Sequence, residues 1–251
     1  MRWKLGGLFI LILGGLLALA TYWAMSPSSQ VYGAIIGHGP RDEKLVALTF
    51  DDGPNAPWTT EIADTLKSYD VPATFFVVGK NADAHPEIVR ALVDGGFLIG
   101  NHSYRHRKRD AILEPRYGEL EHAEASIAQA AGVCPALFRP PNGFHTPWQL
   151  HAVSDHQMHA IGWDVQPSDW TNPPSDEIVK RVVDSVRPGS IVLLHDGSDT
   201  QQGVDRSATL NALPGIIQGL RDEGYRFVRL DELLGLPPYL TACEGLQEQP
   251  S

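Results

Sequence analysis

The chain has 251 residues, of which 43% are hydrophobic and 20% charged, and its formal net charge is −10. That is enough for one large domain, or two small ones, with a sizeable core. An acidic chain with no basic stripe interleaved with aromatics excludes nucleic acid as the expected partner.

The chain opens with MRWK, which carries two positive charges, and then runs without a charge from Leu5 to Met25. At about 1.5 Å per residue, such a helix approaches the roughly 30 Å of a bilayer core. Two readings are open: an uncleaved signal anchor over residues 1–25, or a signal peptide cut after Ala18-Leu19-Ala20. Arg2 and Lys4 keep this end in the cytoplasm in either case, with Tyr22 and Trp23 at the far interface of an anchor. The expected location of the rest is outside the cytoplasm, membrane-anchored or, after cleavage, secreted or periplasmic. SPSSQ at 26–30 opens an expected linker over 26–41.

From there apolar runs suited to buried strands alternate with stretches of helical period. The runs are 45–50, 73–79, 97–100, 136–139, 159–165, 190–195 and 225–230. The helical stretches include WTTEIADTLKSY, which begins just after Pro57, and PEIVRALVDGG, closed by Gly95-Gly96. YGELEHAEASIAQAAG and SDEIVKRVVDSV are two more. Strands alternating with helices predict parallel βα units. About seven such units predict an α/β fold, a distorted (β/α) barrel over 42–238, with a flexible tail over 239–251. Cys134 and Cys243 form no framework pattern. Export permits a disulfide, and two unpaired small apolar residues are equally open.

In such a barrel, functional groups gather at the C-terminal ends of strands. Those positions hold Asp51-Asp52, His102, Arg139 to Gly143, Asp164 to Trp170, and His195-Asp196. His102 and His106 are four apart, a spacing that on a helical turn puts both imidazoles on one face. Two His and one carboxylate with open positions suit a catalytic Zn²⁺ site. One Asp of the pair would be the third ligand and the other a general base, with the ion offsetting their repulsion. Arg139, in the rigid FRPPNG segment, is able to hold the free Asp ionised. His195 is a candidate general acid, with Asp169 as its partner. His151, His156 and His159 are expected on the surface of a helix, with no role.

Taken together, the segments TFDDGP (49–54), HSYRH (102–106), RPPNG (139–143), SDW (168–170) and IVLLH (191–195) resemble, in order, the motifs of the polysaccharide deacetylase family. This is the NodB homology domain, or carbohydrate esterase family 4. The likeness spans residues from about 42 to 235. It implies Asp51 as catalytic base and Asp52, His102 and His106 as ligands of a divalent metal, Zn²⁺ first and Co²⁺ or Ni²⁺ next. It implies Arg139 as the group orienting the base, His195 as general acid and Asp169 as the carboxylate that tunes it. Pro141, Asn142, Gly143, Trp170 and Leu193 would face substrate, with the Asn142 backbone N–H toward the oxyanion.

The implied reaction removes N-linked acetyl groups from an N-acetylglucosamine-containing glycan, on a monomeric enzyme. Two features depart from the family pattern: Asn142 stands where Tyr is frequent, and HRKRD (106–110) is unusually basic. The latter suits an acidic glycan or a solvated loop. Three rival readings remain. A hydrolase of O-acetyl xylan or cyclic amides is one, and a non-catalytic glycan-binding module is another. A glycosidase using both Asp residues is disfavoured, because neighbours on a strand point to opposite faces. Peptidoglycan, chitin oligomers and secreted poly-N-acetylglucosamine are all open as substrates.

Overall fold

The computed structural model describes residues 2–26, 29–198 and 203–243, without the side chains of residues 2–10. Each of the seven apolar runs contributes a strand. They are β1 (Leu45–Asp51), β2 (Ala73–Val77), β3 (Leu98–Asn101), β4 (Leu137–Phe138), β5 (His159–Ala160), β6 (Ser190–His195) and β7 (Arg226–Phe227). The strands pair in parallel in the order β5-β4-β3-β2-β1-β6, with β7 also on β1. Beyond β5 the chain returns to β6 through a parallel bridge from Val165 to Val192. The sheet is therefore curled into a parallel α/β half-barrel, consistent with a distorted (β/α) barrel. The run 159–165, expected as one strand, is broken to allow this.

Ten helices are described: α1 (Arg2–Met25), α2 (Trp58–Ser68), α3 (Gly79–Ala84), α4 (Pro86–Asp94), α5 (Lys108–Leu113), α6 (Glu119–Ala131), α7 (Pro147–Asp155), α8 (Ser175–Ser185), α9 (Ser207–Asp222) and α10 (Leu230–Leu234). Local chemistry sets their ends. Pro86 occupies the first turn of α4, where its missing N–H costs nothing. Gly132 takes a left-handed φ of 72° and stops α6. α2 buries Thr59, Ile62, Ala63 and Leu66, the i, i+3, i+4, i+7 stripe of an amphipathic helix.

β1 is the central strand and is buried on both faces, as parallel strands covered by helices are. Val46, Leu48 and Phe50 join the large cluster beneath α2, α8 and α9, whereas Ala47 packs with Leu98, Ile161 and Ile191. A third cluster joins Ala24, Ala111, Tyr117, Phe138 and Leu150.

Several expectations are corrected. Part of the supposed linker belongs to the domain. Ile35 is buried, and Ile36 exchanges backbone hydrogen bonds with Ala160 and Gly162 at 2.9 and 2.8 Å, extending the sheet past β5. Pro27 and Ser28 lie outside the described residues. The supposed tail starts ordered: Tyr239 bridges to Pro135, and Cys243 is bonded to Cys134. Residues 244–251 lie outside the described residues. Of the three histidines read as a helix surface, only His151 is one. His156 is buried beyond the end of α7 with Nε2 3.4 Å from Glu121, and His159 begins β5.

The N-terminal apolar segment is helical as α1. The side chains of Arg2, Lys4 and residues 5–10 lie outside the described residues, and among the described residues no helix is long and apolar enough to cross a membrane.

The Cys134–Cys243 bond closes a loop with a sequence separation of 109 residues. Such a loop restricts the unfolded chain strongly, so reduction is expected to lower unfolding stability by on the order of 4 kcal/mol. Guanidinium titration of the full chain with and without reductant measures this, and Cys243→Ser should reproduce the reduced midpoint.

Candidate metal centre and catalytic site

The end of β1 carries the two carboxylates. Asp51 is the last strand residue, and Asp52 follows with a left-handed φ of 75°. That turn breaks the alternation of the strand. Both carboxylates therefore reach one imidazole: His102 Nε2 lies 3.6 Å from Asp51 Oδ2 and 3.4 Å from Asp52 Oδ1. The opposite-face argument against a glycosidase thus fails. What disfavours a glycosidase instead is that each carboxylate is already committed to different partners.

His102 and His106 do not lie on a helical turn as expected. They flank a loop between β3 and α5 in which Ser103 and His106 have φ of 64° and 54°. The left-handed region costs a non-glycine residue of order 1 kcal/mol. Side chains and neighbouring backbone offset it. Asn101 Oδ1 accepts from Ser103 N at 2.9 Å, and Ser103 Oγ accepts from His106 N at 3.0 Å. Gly79 and Lys80, opening α3, donate to the carbonyls of Ser103 and Tyr104. The loop thereby brings the two rings to 4.7 Å between centroids.

His102 Nδ1 lies 2.8 Å from the Arg139 carbonyl, which only accepts, so the proton sits on Nδ1. Nε2 then turns a lone pair toward Asp52 Oδ1. That oxygen is buried and accepts no hydrogen bond, and His106 Nε2 is 3.2 Å from it. Ligand atoms of Asp52, His102 and His106 all lie within 4.8 Å of one another. Lone pairs converging in a buried place fit a divalent cation, and two nitrogens with one oxygen fit zinc-type chemistry. Burial pushes the Asp52 carboxyl up, but His106, then His102 and His195, hold it below the usual carboxylate range.

Asp51 is committed to a different cation. Arg139, fully buried at the end of β4, donates from Nη1 to Asp51 Oδ1 and to Thr49 Oγ1, each at 2.7 Å, and from Nη2 to the Gly162 carbonyl at 3.1 Å. Its guanidinium also stacks over Phe76, 4.1 Å from the ring centroid. Burial lowers the Arg139 pKa from its ordinary value while Asp51 raises it.

His195 ends β6. Asp169 Oδ1 lies 2.9 Å from its Nδ1, and Asp169 Oδ2 accepts from the His195 backbone N–H and from Thr209 Oγ1, both at 2.8 Å. Burial pulls the imidazolium down, but the charge and hydrogen bond of Asp169 outweigh it and push the group up to about 9. Next to it, burial raises the Asp196 carboxyl to about 7, although Thr59 Oγ1 donates to it at 2.6 Å. Two glycines allow this close packing. A Cβ at Gly53 would lie 2.0 Å from Asp196 Oδ2, and one at Gly197 would lie 2.1 Å from the Asp52 carbonyl.

These groups open into one cavity of about 350 Å³ lined by Asp51, Asp52, His102, His106, His195, Asn142, Trp170 and Leu193. Pro141 and Gly143, expected to face substrate, are buried and are not among the lining residues. Gln166, within the strand-end stretch Asp164 to Trp170, also lines the cavity, and so do Trp163, Ser198, Val204 and Arg206, which were missed. Arg206 lies before α9, far from any strand end, so position gave no signal. It clamps the turn after His195, donating from Nε and Nη2 to the Gly197 carbonyl at 2.8 and 2.5 Å. Asp164, expected among the functional strand ends, turns away to Arg41, Ser190 and the Ile191 N–H. Within the basic run Arg105 pairs with Glu119, and Arg107 and Arg109 share Asp110, while Lys108 and Arg109 are exposed.

Residues 38–161 match the polysaccharide deacetylase family. A peptidoglycan-N-acetylglucosamine deacetylase of Bacillus cereus is 36% identical over 210 residues, spanning 80% of this chain and 93% of that protein. The chain belongs to the polysaccharide deacetylase family. A chitooligosaccharide deacetylase of Rhizobium leguminosarum bv. phaseoli is 41% identical over 199 residues, 74% of this chain and 86% of that one. Among solved structures, a peptidoglycan N-acetylglucosamine deacetylase in complex with an N-oxidanyl-benzamide matches with a TM-score of 0.77 at 32% identity, covering 82% of this chain and 95% of that one. The five motifs thus have both their family and a common cavity.

Metal content after dialysis against Zn²⁺ separates the two carboxylates. Asp52→Ala and His106→Ala are each expected to lose bound zinc at least tenfold in affinity, whereas Asp51→Asn should retain about one equivalent.

Proposed function

We propose that this deacetylase-family chain hydrolyses the acetamide of N-acetylglucosamine residues in a glycan, releasing acetate and a free amine. The observation that carries the reading is a base and an acid on the walls of one cavity, each held by its own counter-ion, beside a three-ligand cluster. The metal is proposed to be Zn²⁺, with Co²⁺ or Ni²⁺ as substitutes, held by Asp52, His102 and His106. When bound, it supplies Lewis acidity to the acetyl carbonyl and to water.

The chain's own groups handle the protons. Arg139 occupies Asp51 Oδ1, so Oδ2 is the oxygen left to take the proton of the attacking water. With Nδ1 committed to Asp169, His195 offers Nε2 to protonate the leaving nitrogen as the C–N bond breaks. Trp170 and Leu193 give the acetyl methyl an apolar wall, and the Asn142 backbone N–H is the proposed oxyanion donor. Peptidoglycan is the first substrate to try and chitin oligomers the second, in line with the named activities of the relatives. The apolar N-terminus supports a place outside the cytoplasm, on or near the membrane.

Acetate release from both glycans by the full chain should disappear with chelator, return with Zn²⁺, and fall by 10²-fold or more in Asp51→Asn. Release from O-acetyl xylan alone would favour the esterase reading. The acid must be protonated to act, so activity should decline as pH rises toward about 9. Asp169→Asn removes the charge that favours the imidazolium, so the alkaline limb of the kcat profile should move to lower pH.

A further inference from the structure

We propose that the tip of α5 and Trp148 form a second contact with an anionic phospholipid bilayer, beside the base of α1. This rests on the reading of α1 as a membrane-seeking segment. α1 projects from the domain: Leu11, Leu16, Leu17 and Tyr22 are 59–75% exposed, while Ala24 is buried. The base of the helix is fastened rather than hinged. Tyr32 donates its hydroxyl proton to the Ala20 carbonyl at 2.9 Å, and His145 N donates to the Ala24 carbonyl at 3.0 Å. Whatever receives α1 must also meet the domain surface around that base.

That surface is apolar where most of the domain's surface is not. Among the described residues outside α1, Leu113 is 72% exposed and Ile112 50%, neighbours at the end of α5, and Trp148 is 38% exposed. They adjoin the base of α1. Ala111 shares the buried cluster of Ala24, and its carbonyl accepts from Thr146 Oγ1 and from Trp148 Nε1, one and three residues beyond His145. A tryptophan with an exposed ring and a satisfied N–H suits the interfacial layer of a bilayer.

Charge names the lipid. The chain is acidic overall, yet Lys108, Arg109 and Arg116 are all exposed on or next to α5. Asp110 and Glu119 are buried and engaged by Arg105, Arg107 and Arg109, and Glu114 is half-buried between Leu113 and Arg116. Over residues 105–119, five Lys and Arg stand against three acids, so two positive charges are in excess. An apolar tip ringed by surplus cations fits an anionic headgroup layer over apolar chains. His106 lines the cavity and lies two residues before α5, so this contact would also fix how the cavity faces the envelope.

The test uses the full chain in nanodiscs of phosphatidylcholine with and without phosphatidylglycerol. Since Cys134 and Cys243 are bonded, an introduced cysteine is the sole thiol. An environment-sensitive fluorophore is placed at Leu17→Cys, Leu113→Cys or, as an aqueous reference, Lys180→Cys on α8. The expected result is blue-shifted emission and several-fold stronger quenching by nitroxide lipid at positions 17 and 113 than at 180. The signal at 113 should grow with phosphatidylglycerol, and weaken with salt and in the Lys108→Glu/Arg109→Glu background.

A probe at 113 as aqueous as that at 180, with 17 in lipid, overturns the proposal and leaves α1 as the membrane segment. Aqueous signals at both 17 and 113 overturn both readings. A concentration-dependent shift at 113 without discs would make the patch a contact between two copies and overturn the lipid assignment.

Discussion

The ion pair between Arg139 and Asp51 is the interaction around which the catalytic end of the barrel is arranged. Both side chains are withdrawn from water, so removing either partner would leave the other an uncompensated buried group, which is strongly destabilising. The guanidinium is planar and many-handed, and every contact it makes ties a different part of the sheet. It reaches Asp51 and Thr49 on β1, the Gly162 carbonyl beyond β5 and the ring of Phe76 on β2, while its own carbonyl orients His102. One residue at the end of a two-residue strand thereby sets the orientation of Asp51 and the tautomer of His102. Lysine has one charge point and could not make this set.

The acid is positioned by a second set of contacts that converge on the same turn. The backbone N–H groups of Asp196 and Gly197 donate to the Asp51 carbonyl, so the ends of β6 and β1 are locked side by side. Asp169 is held in turn by Thr209 from α9, while Arg206 clamps Gly197. Asp51 paired with an arginine and His195 paired with an aspartate are opposite charge arrangements at register partners of neighbouring strands. They coexist because each has its private counter-ion and because a dication beside Asp52 would balance the remaining negative charge.

Much of this was legible in the chain. The apolar runs located all seven strands, since strands buried on both faces are near-continuously apolar; the interior exceptions Thr49 and Thr74 have their hydroxyls hydrogen-bonded. The polar residues at or just beyond those ends, Asp51, Asp52, His102 and His195, indeed share the cavity, and Arg139 is buried behind it, bonded to Asp51. The same rule misled at Asp164, which satisfies Ser190 and the Ile191 N–H, because a strand-end carboxylate serves equally well to pin a neighbouring strand. It was silent on Arg206, which arrives from the turn before a helix. Periodicity also misplaced His102 and His106 on a helix. Spacing of four fixes neighbours on a helix, and it does not require one.

By itself, then, the sequence determined the strand count, the parallel βα order, the motif set and which side chains are candidates for base, acid and metal ligands. These depend on local hydrophobic pattern and on which side chains are present. Only the tertiary structure decided three things. It showed that Cys134 meets Cys243 across 109 residues. It drew Ile35 and Ile36 into the domain. It turned Asp52 through a positive φ so that both carboxylates face His102. Each is a contact between segments distant in the chain, or a backbone conformation stabilised by such contacts, and neither leaves a signature in local pattern.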